Sequence, residues 1–336
     1  MLELLTNDKL CVDIRGKTMK YAQGHYNGNK KRIEIKKYGS IQFSQEHTDN
    51  GLLCECEDTV RVISNFIRKE RISAKTVYLN ISDPSIVLRI VKVPFMSGRD
   101  LKDYLNLEIS QYLPVDFNTN VFDYKVLETV EEDGKNMLNL LLTSVPRDII
   151  LNCTKLFKKA GLDLQAIDVY PNSISRVFCE QKNMDIAIVD INENAIDFVI
   201  LKKGKLFMYS NILIENGFSL SVREEENIDL LVEEDGMFAA ALNEVVNYTR
   251  TYMNFFSSKH FGKGVDIVYL LGEVALIKGI GTYFSNMLQI EVGLGLPSQV
   301  FGIHPKKESF GSIRNLNIDK KIAMYSCNLG LIMRGV

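Results

Sequence analysis

The 336-residue chain has no tryptophan and only four histidines, His25, His47, His260 and His304. Without indole, the readings that depend on aromatic platforms stacking under bases are weakened. The histidines are dispersed and match no catalytic or metal-ligand spacing. Six cysteines include no Cys-x-x-Cys pair; only Cys54 and Cys56 are close-set, and structural zinc wants four suitably spaced ligands. Cys11, Cys153 and Cys179 sit among apolar neighbours and read as small buried side chains of a protein kept reduced. Charge of one sign is also lacking. Lys+Arg 40 against Asp+Glu 42 leaves −2, so no global field favours nucleic acid or an anionic membrane. No stretch approaches the roughly 18 uninterrupted apolar residues that cross a bilayer, and the run from Gly279 to Ile290 is broken by Gly, Thr, Ser and Asn. Met1 to Leu10 carries Glu3, Asp8 and Lys9, unlike a signal peptide. Direct membrane insertion is therefore not expected, and membrane association should come through a partner. Gly-x-Ser-x-Gly, His-Glu-x-x-His and Walker loops are missing too.

What is present is an ordinary globular composition, 46% hydrophobic and 24% charged, at a length that suits two lobes. A layout occurs twice. Leu10-Cys-Val-Asp-Ile14, a short turn, Thr18–Gln23, a Gly-containing turn and Arg32–Ile41 form the first copy. Asp185–Asp190, a turn at Asn192-Glu193-Asn194, Ala195–Leu201, Lys203-Gly204 and Lys205–Ile212 form the second. Each reads as a three-stranded meander with an Asp at or near the end of its first strand, Asp13 and Asp190. An amphipathic helix near Asp58–Glu70, with Val60, Ile63 and Ile67 on one face, and a strand Thr76–Ile81 follow the first. A long helix near Gly236–Ser258 and a strand Val265–Leu271 running into Gly272 follow the second. Such repetition suggests duplication.

Between the copies, residues 84–162 read as an extra module. It comprises a strand Ile86–Val93, a helix from Ser97 with Ser97 and Asp100 as a capping-box-like pair, and two strands joined by Asp133-Gly134. A second helix starts near Pro146, stops at Gly161 and turns Ile149, Ile150, Cys153, Leu156, Phe157 and Ala160 inward.

A duplicated strand–Asp–hairpin pair is the way actin-like folds clasp a nucleotide, with hairpin N–H groups on phosphates and the Asp pair holding hydrated magnesium. Local phrases resemble the PilM family of type IV pilus assembly proteins, relatives of the division protein FtsA. Cys11-Val-Asp-Ile14 through Lys20 is similar to the family's first phosphate loop. Val93-Pro94, Gln111-Tyr-Leu-Pro114 and Asp123-Tyr124 resemble its inserted module, and Lys159-Ala-Gly-Leu162 with Ile167-Asp-Val169 its Ala-Gly-Leu…Val-Asp segment. Leu329-Gly-Leu-Ile-Met-Arg-Gly335 resembles its terminal phrase.

The resemblance implies an α/β, two-lobed actin-like fold with an inserted SHS2-like subdomain. Its subdomains would be 1–83 with 163–184 (1A), 84–162 (1C), 185–214 with 262–336 (2A) and 215–261 (2B). It implies a cytoplasmic scaffold, peripheral at the membrane through its partner, that binds the N-terminal cytoplasmic peptide of a PilN-like single-pass membrane protein. The peptide groove would lie beside the module, with Leu101, Tyr104, Leu105, Tyr112, Leu113 and Tyr124 as candidates, although their apolar spacing equally fits the module's own core.

The departures from the family pattern matter. Arg15 stands where Gly is the rule, Asp190-Ile-Asn192 again lacks it, Leu271-Gly272-Glu273 replaces Gly-Gly, and Glu244 is kept while Asn247 replaces the following Arg. Asp13, Arg15, Lys20, Asp190, Asn192, Glu244, Gly272 and Glu273 therefore compose an eroded nucleotide site. No cofactor is expected to be obligatory, Mg-ATP binding is expected to be weak at most, and significant ATPase activity is not expected. Asp13 and Asp190 either hold hydrated Mg when nucleotide binds or merely cap turns. Three other readings stand beside this one. An active ATPase or sugar kinase would want intact glycine loops. An FtsA-like division tether would want a terminal membrane helix, where this chain stops at Arg334-Gly-Val336. A type II secretion scaffold of related fold would differ in gene neighbourhood.

Overall fold

The computed structural model describes residues 8–29, 32–49, 52–192, 195–214, 218, 226–297 and 318–335. The start of the N-terminal segment, Glu193-Asn194 of the second turn and His304 lie outside the described residues. By contacts the chain divides into two compact units, Met1–His25 with Tyr38–Tyr170, and Tyr26–Lys37 with Pro171–Val336.

The first unit begins with β1 (Lys9–Arg15), whose residues are almost all buried because both faces are covered. A two-residue loop, Gly16-Lys17, leads to β2 (Thr18–Asn27), and β3 (Arg32–Gln42) completes the meander. Gly16 has φ 56°, the positive value that the first loop position of a type II′ hairpin requires. After a short ladder, β4 (Thr48–Asp49) with β5 (Leu52–Leu53), comes α1 (Glu57–Lys69), with acids in its first turn and bases in its last. Its buried face is Thr59, Ile63 and Phe66, with Val60 and Ile67 at the margins, so the helix is rotated slightly from the face that its aliphatic residues alone suggest. The strand β6 (Thr76–Ile81) then joins β1 in parallel.

The module follows: β7 (Val87–Pro94), α2 (Gly98–Tyr112), β8 (Asn120–Glu132) and β9 (Lys135–Pro146). Its sheet order is β7-β9-β8, and α2 packs Leu101, Leu105 and Ile109 against it. Asp133 and Gly134 both take positive φ, so the Asp-Gly loop is the type I′ turn its sequence suggests. Ser97 caps α2 differently from a capping box. Its hydroxyl donates to the Asp100 carboxylate and not to a backbone acceptor, and no side-chain cap bond reaches the helix N–H groups.

The helix α3 (Arg147–Lys159) sends Cys153, Leu156 and Phe157 into the core of the first sheet and not into that of the module. Burial pushes the Cys153 thiol up to about 12, as expected of a packing residue. Then β10 (Asp163–Val169) closes the first sheet beside β6, and α4 (Tyr170–Val177) leads to the second unit.

The second meander is β11 (Asp185–Ile191), β12 (Ala195–Lys202) and β13 (Lys205–Leu213). Lys203 and Gly204 again take positive φ in a two-residue turn. The helices α5 (Ile228–Glu234) and α6 (Gly236–Lys259) follow, and α6 starts where the Asp235 carboxylate accepts the Phe238 N–H at 2.9 Å. After β14 (Ile267–Gly272) and a 3-10 turn come α7 (Ile280–Leu288) and β15 (Val292–Leu294). The described chain ends with α8 (Ile318–Ala323) and α9 (Ser326–Ile332). Strand order is β3-β2-β1-β6-β10 in one sheet and β13-β12-β11-β14-β15 in the other. The two orders are the same, so the repeated layout is a repeated topology. The α9 helix packs directly on α4. A Cβ on Gly330 would lie 2.0 Å from the Ser173 carbonyl, and Arg176 Nε donates to the Gly330 carbonyl at 2.7 Å.

Candidate functional site

In the first unit, the end of β1 places Asp13 level with Lys20 on β2 and Asn80 on β6, and Asn80 is level with Asp168 on β10. Register alone thus sets four polar side chains in one row across the sheet, all of them buried. Both oxygens of Asp13 are engaged. Asn80 Nδ2 donates to Oδ1 at 2.7 Å and Arg15 Nε to Oδ2 at 3.0 Å. The Arg15 guanidinium also lies over the Tyr170 ring, 4.5 Å from its centroid. A hydrated magnesium needs carboxylate oxygens open to its water shell. Here one oxygen already faces a cation and the other an amide.

In the second unit, Asp190 stands at the corresponding place, opposite Asp197 on β12 and Leu271 on β14. Asp197 accepts from the Tyr209 hydroxyl at 2.8 Å and from Asn211 Nδ2 at 2.9 Å. Asn192 lies beside Asp190, its amide 3.5 Å from Oδ1, and its N–H donates to the Ala195 carbonyl at 2.9 Å to close the turn. Gly272 has φ 81°, and a Cβ there would lie 2.2 Å from the Ile191 carbonyl oxygen and 2.9 Å from Asp190 Oδ1. Its glycine is a demand of the backbone. Glu273 is half-buried at the start of the 3-10 turn Glu273–Leu276, and Glu244 is half-buried on α6. Among the described residues no group of three or more His, Cys, Asp or Glu is placed to hold a metal ion.

In the module, Leu101, Leu105 and Leu113 are buried in its core, whereas Tyr104, Tyr112 and Tyr124 are partly buried around it. The Tyr104 and Tyr112 hydroxyls share a hydrogen bond of 2.8 Å, and Arg89 Nη1 donates to the Tyr112 carbonyl at 3.0 Å. Burial, and then the bond to Tyr104, push the Tyr112 phenol up to about 12. The folded state therefore holds that proton more tightly than the unfolded chain, whose phenol titrates near ~10. Its contribution to stability should be intact below pH ~10 and be lost as the pH rises toward the folded value. Tyr112→Phe should flatten that part of the alkaline stability profile in denaturant melts monitored by circular dichroism.

On the other side of α2 opens a recess of about 380 Å³, lined by Leu107, Ile109, Phe117, Val121 and Phe122 with Arg147 among its polar residues. Leu107 is 80% exposed although the core stripe of α2 is complete without it. The sequence reading missed this surface. An aliphatic residue off the stripe at position 107 was the signal available.

The family model described as "Type IV pilus assembly protein PilM" matches residues 11–211, more than half of the chain. The chain belongs to the PilM family. A chain of the solved PilM–PilN type IV pilus biogenesis complex is similar to it at TM-score 0.77 and 18% identity, over 98% of each chain. A Bacteroides thetaiotaomicron protein with an actin-like ATPase fold and unknown function superposes at TM-score 0.49 with 8% identity, over 98% of each chain. The ethanolamine utilization protein EutJ from Carboxydothermus hydrogenoformans gives TM-score 0.48 and 13% identity, over 99% of this chain and 94% of that one. No curated protein matches by sequence. The two like-ordered sheets and the inserted module are thus the fold of a PilM-family protein.

Within this PilM-family chain, the structure gathers Asp13, Arg15 and Lys20 on one hairpin and Asp190, Asn192, Gly272 and Glu273 at the end of the other sheet. It adds Asn80, Asp168 and Tyr170 to the first group, which the sequence reading did not single out as site residues. No helix among the described residues is long and apolar enough to cross a membrane.

Proposed function

We propose that this chain is a cytoplasmic scaffold of a type IV pilus assembly complex. In this reading it sits at the membrane through a PilN-like single-pass protein, whose N-terminal cytoplasmic peptide it binds beside the module, and it holds nucleotide weakly or not at all. The observation that carries the reading is membership of the PilM family, taken with the likeness in fold to a chain of a complex between PilM and PilN. The partly buried Tyr104, Tyr112 and Tyr124 support it, as does the recess beside Leu107. A recess lined by apolar side chains together with Arg147 suits an extended peptide. The nucleotide half rests on Arg15. A guanidinium 3.0 Å from Asp13 stands in for the cation that a phosphate loop would otherwise recruit. Hydrolysis needs a clamped magnesium–nucleotide and a positioned water, and the eroded loops offer neither.

Fluorescence-polarisation titration of the partner's N-terminal peptide against the full chain tests this. Saturable binding is expected, unchanged by Mg-ATP and weakened at least about tenfold by Tyr124→Ala or Leu107→Asp, the cost of losing a contact residue. Folded protein that shows no saturable binding would remove the partner. Binding that tightens tenfold with Mg-ATP, or measurable turnover, would remove the degenerate-site reading instead.

A further inference from the structure

One end of the second unit carries a side chain that its own stability does not explain. Phe261, just past α6, has φ 54°, in the left-handed region where bulky residues are outliers and where a helix end ordinarily takes glycine. Its ring is fully exposed. Backbone strain and an unburied aromatic ring are both unfavourable, and outliers of this kind concentrate where they serve a function.

Its surroundings say which function. The Phe207 ring meets Phe256 and His260 edge-on at 5.1 and 5.0 Å, which ties the start of β13 to the end of α6. The β12–β13 turn with Lys202, Lys203 and Lys205 is thereby held near Phe261, and Lys259 and Lys263 flank the ring in sequence. Lys182 reaches the same turn, since a Cβ on Gly204 would lie 3.6 Å from its Cγ. The acids at this end are Glu180, Asp185, Asp266 and Glu291. Asp185 is buried and holds Lys263 Nζ at 2.8 Å, and the Asp266 carboxylate accepts the Asp185 N–H at 2.7 Å. The local balance is therefore positive although that of the chain is −2.

We propose that this end of the second unit docks on an anionic bilayer surface, with Phe261 entering the headgroup–acyl boundary and the lysines meeting lipid phosphates. A bilayer is favoured over a protein partner by the chemistry. Interface cores are depleted in lysine, whereas an exposed aromatic side chain with lysines at the same end is the composition of interfacial membrane contacts. Such a contact would give the scaffold a second attachment besides the peptide, and the sequence hides it because the excess charge is local.

Vesicle co-sedimentation of the full chain tests the proposal. The protein should sediment with phosphatidylcholine vesicles that contain phosphatidylglycerol and stay in solution with phosphatidylcholine alone. The double change Lys203→Glu with Lys205→Glu should lower binding at least about fivefold, the factor expected for one lysine near such a surface, and Phe261→Ser should lower it through the apolar area no longer buried. High salt should release the protein. Because Phe261 is fully exposed, a melting curve of the Phe261→Ser protein should overlay that of the parent. Sedimentation with neither vesicle, equal sedimentation with both, or variants that bind like the parent would overturn it; docking of an acidic protein would then be the better account. The vesicles contain no partner protein, so this result and the peptide titration succeed or fail separately.

Discussion

Gly272→Ala is expected to destabilise the second unit by more than about 4 kcal/mol, enough to leave little folded protein. Two costs add. At φ 81° and ψ −170° the backbone occupies a region essentially confined to glycine, worth about 1–3 kcal/mol for any other residue. The new Cβ would also lie 2.2 Å from the Ile191 carbonyl oxygen and 2.9 Å from its carbon. That carbonyl belongs to β11, which is buried throughout and paired with β12 and β14, so it cannot move aside without breaking the ladder. A guanidinium melt of the full chain followed by circular dichroism should show the loss as a collapsed midpoint. A midpoint close to the parent's would mean that β14 can end another way. The neighbouring position is different. Glu273 opens a 3-10 turn with ordinary backbone geometry, so only a ligand, and not the fold, would ask for a second glycine there. One glycine of the pair is kept because the backbone needs it.

The same distinction explains which parts of the molecule were legible beforehand. Turns were legible because their chemistry is local. Asp133-Gly134 and Lys203-Gly204 both take the positive φ values that such pairs announce. The duplication was legible because each meander carries its own alternation and terminal Asp, and the two sheets share one order. The helices α7 and α9 were not. Their packing is decided by close approaches such as that of Gly330 to the Ser173 carbonyl, 157 positions earlier (330 − 173 = 157), which no local pattern records. The apolar spacing of α2 could not separate core from contact surface either, because Leu101 and Leu105 satisfy the helical period in both roles; only burial assigns them to the core. The sequence marks Arg15 only as a residue standing where the family pattern has glycine. That it turns back onto Asp13 depends on Tyr170, a residue brought near by β10 and invisible from the hairpin itself.

Asp13→Ala is accordingly the second large effect, a loss of about 3 kcal/mol or more from the first unit. Removing one member of a largely buried ion pair costs more than the pair contributes, because the partner's desolvation is kept while this attraction is lost. Arg15 is only 16% exposed and Asp13 only 4%, so water compensates little. Asn80 suffers as well. Its Oδ1 already lacks a hydrogen-bond partner, and its Nδ2 would lose the Asp13 acceptor at 2.7 Å while the side chain remains wholly buried. If Asp13 instead served only an absent ligand, its removal would leave stability unchanged. Comparing Asp13→Ala with Arg15→Ala separates the two views in a single set of denaturant melts. The resident ion pair predicts that the double variant is less destabilised than the sum of the single ones, since both changes remove the same shared interaction. Strict additivity would mean that Arg15 and Asp13 do not act on one another, and the argument that a side-chain cation occupies the first phosphate loop would fall with it.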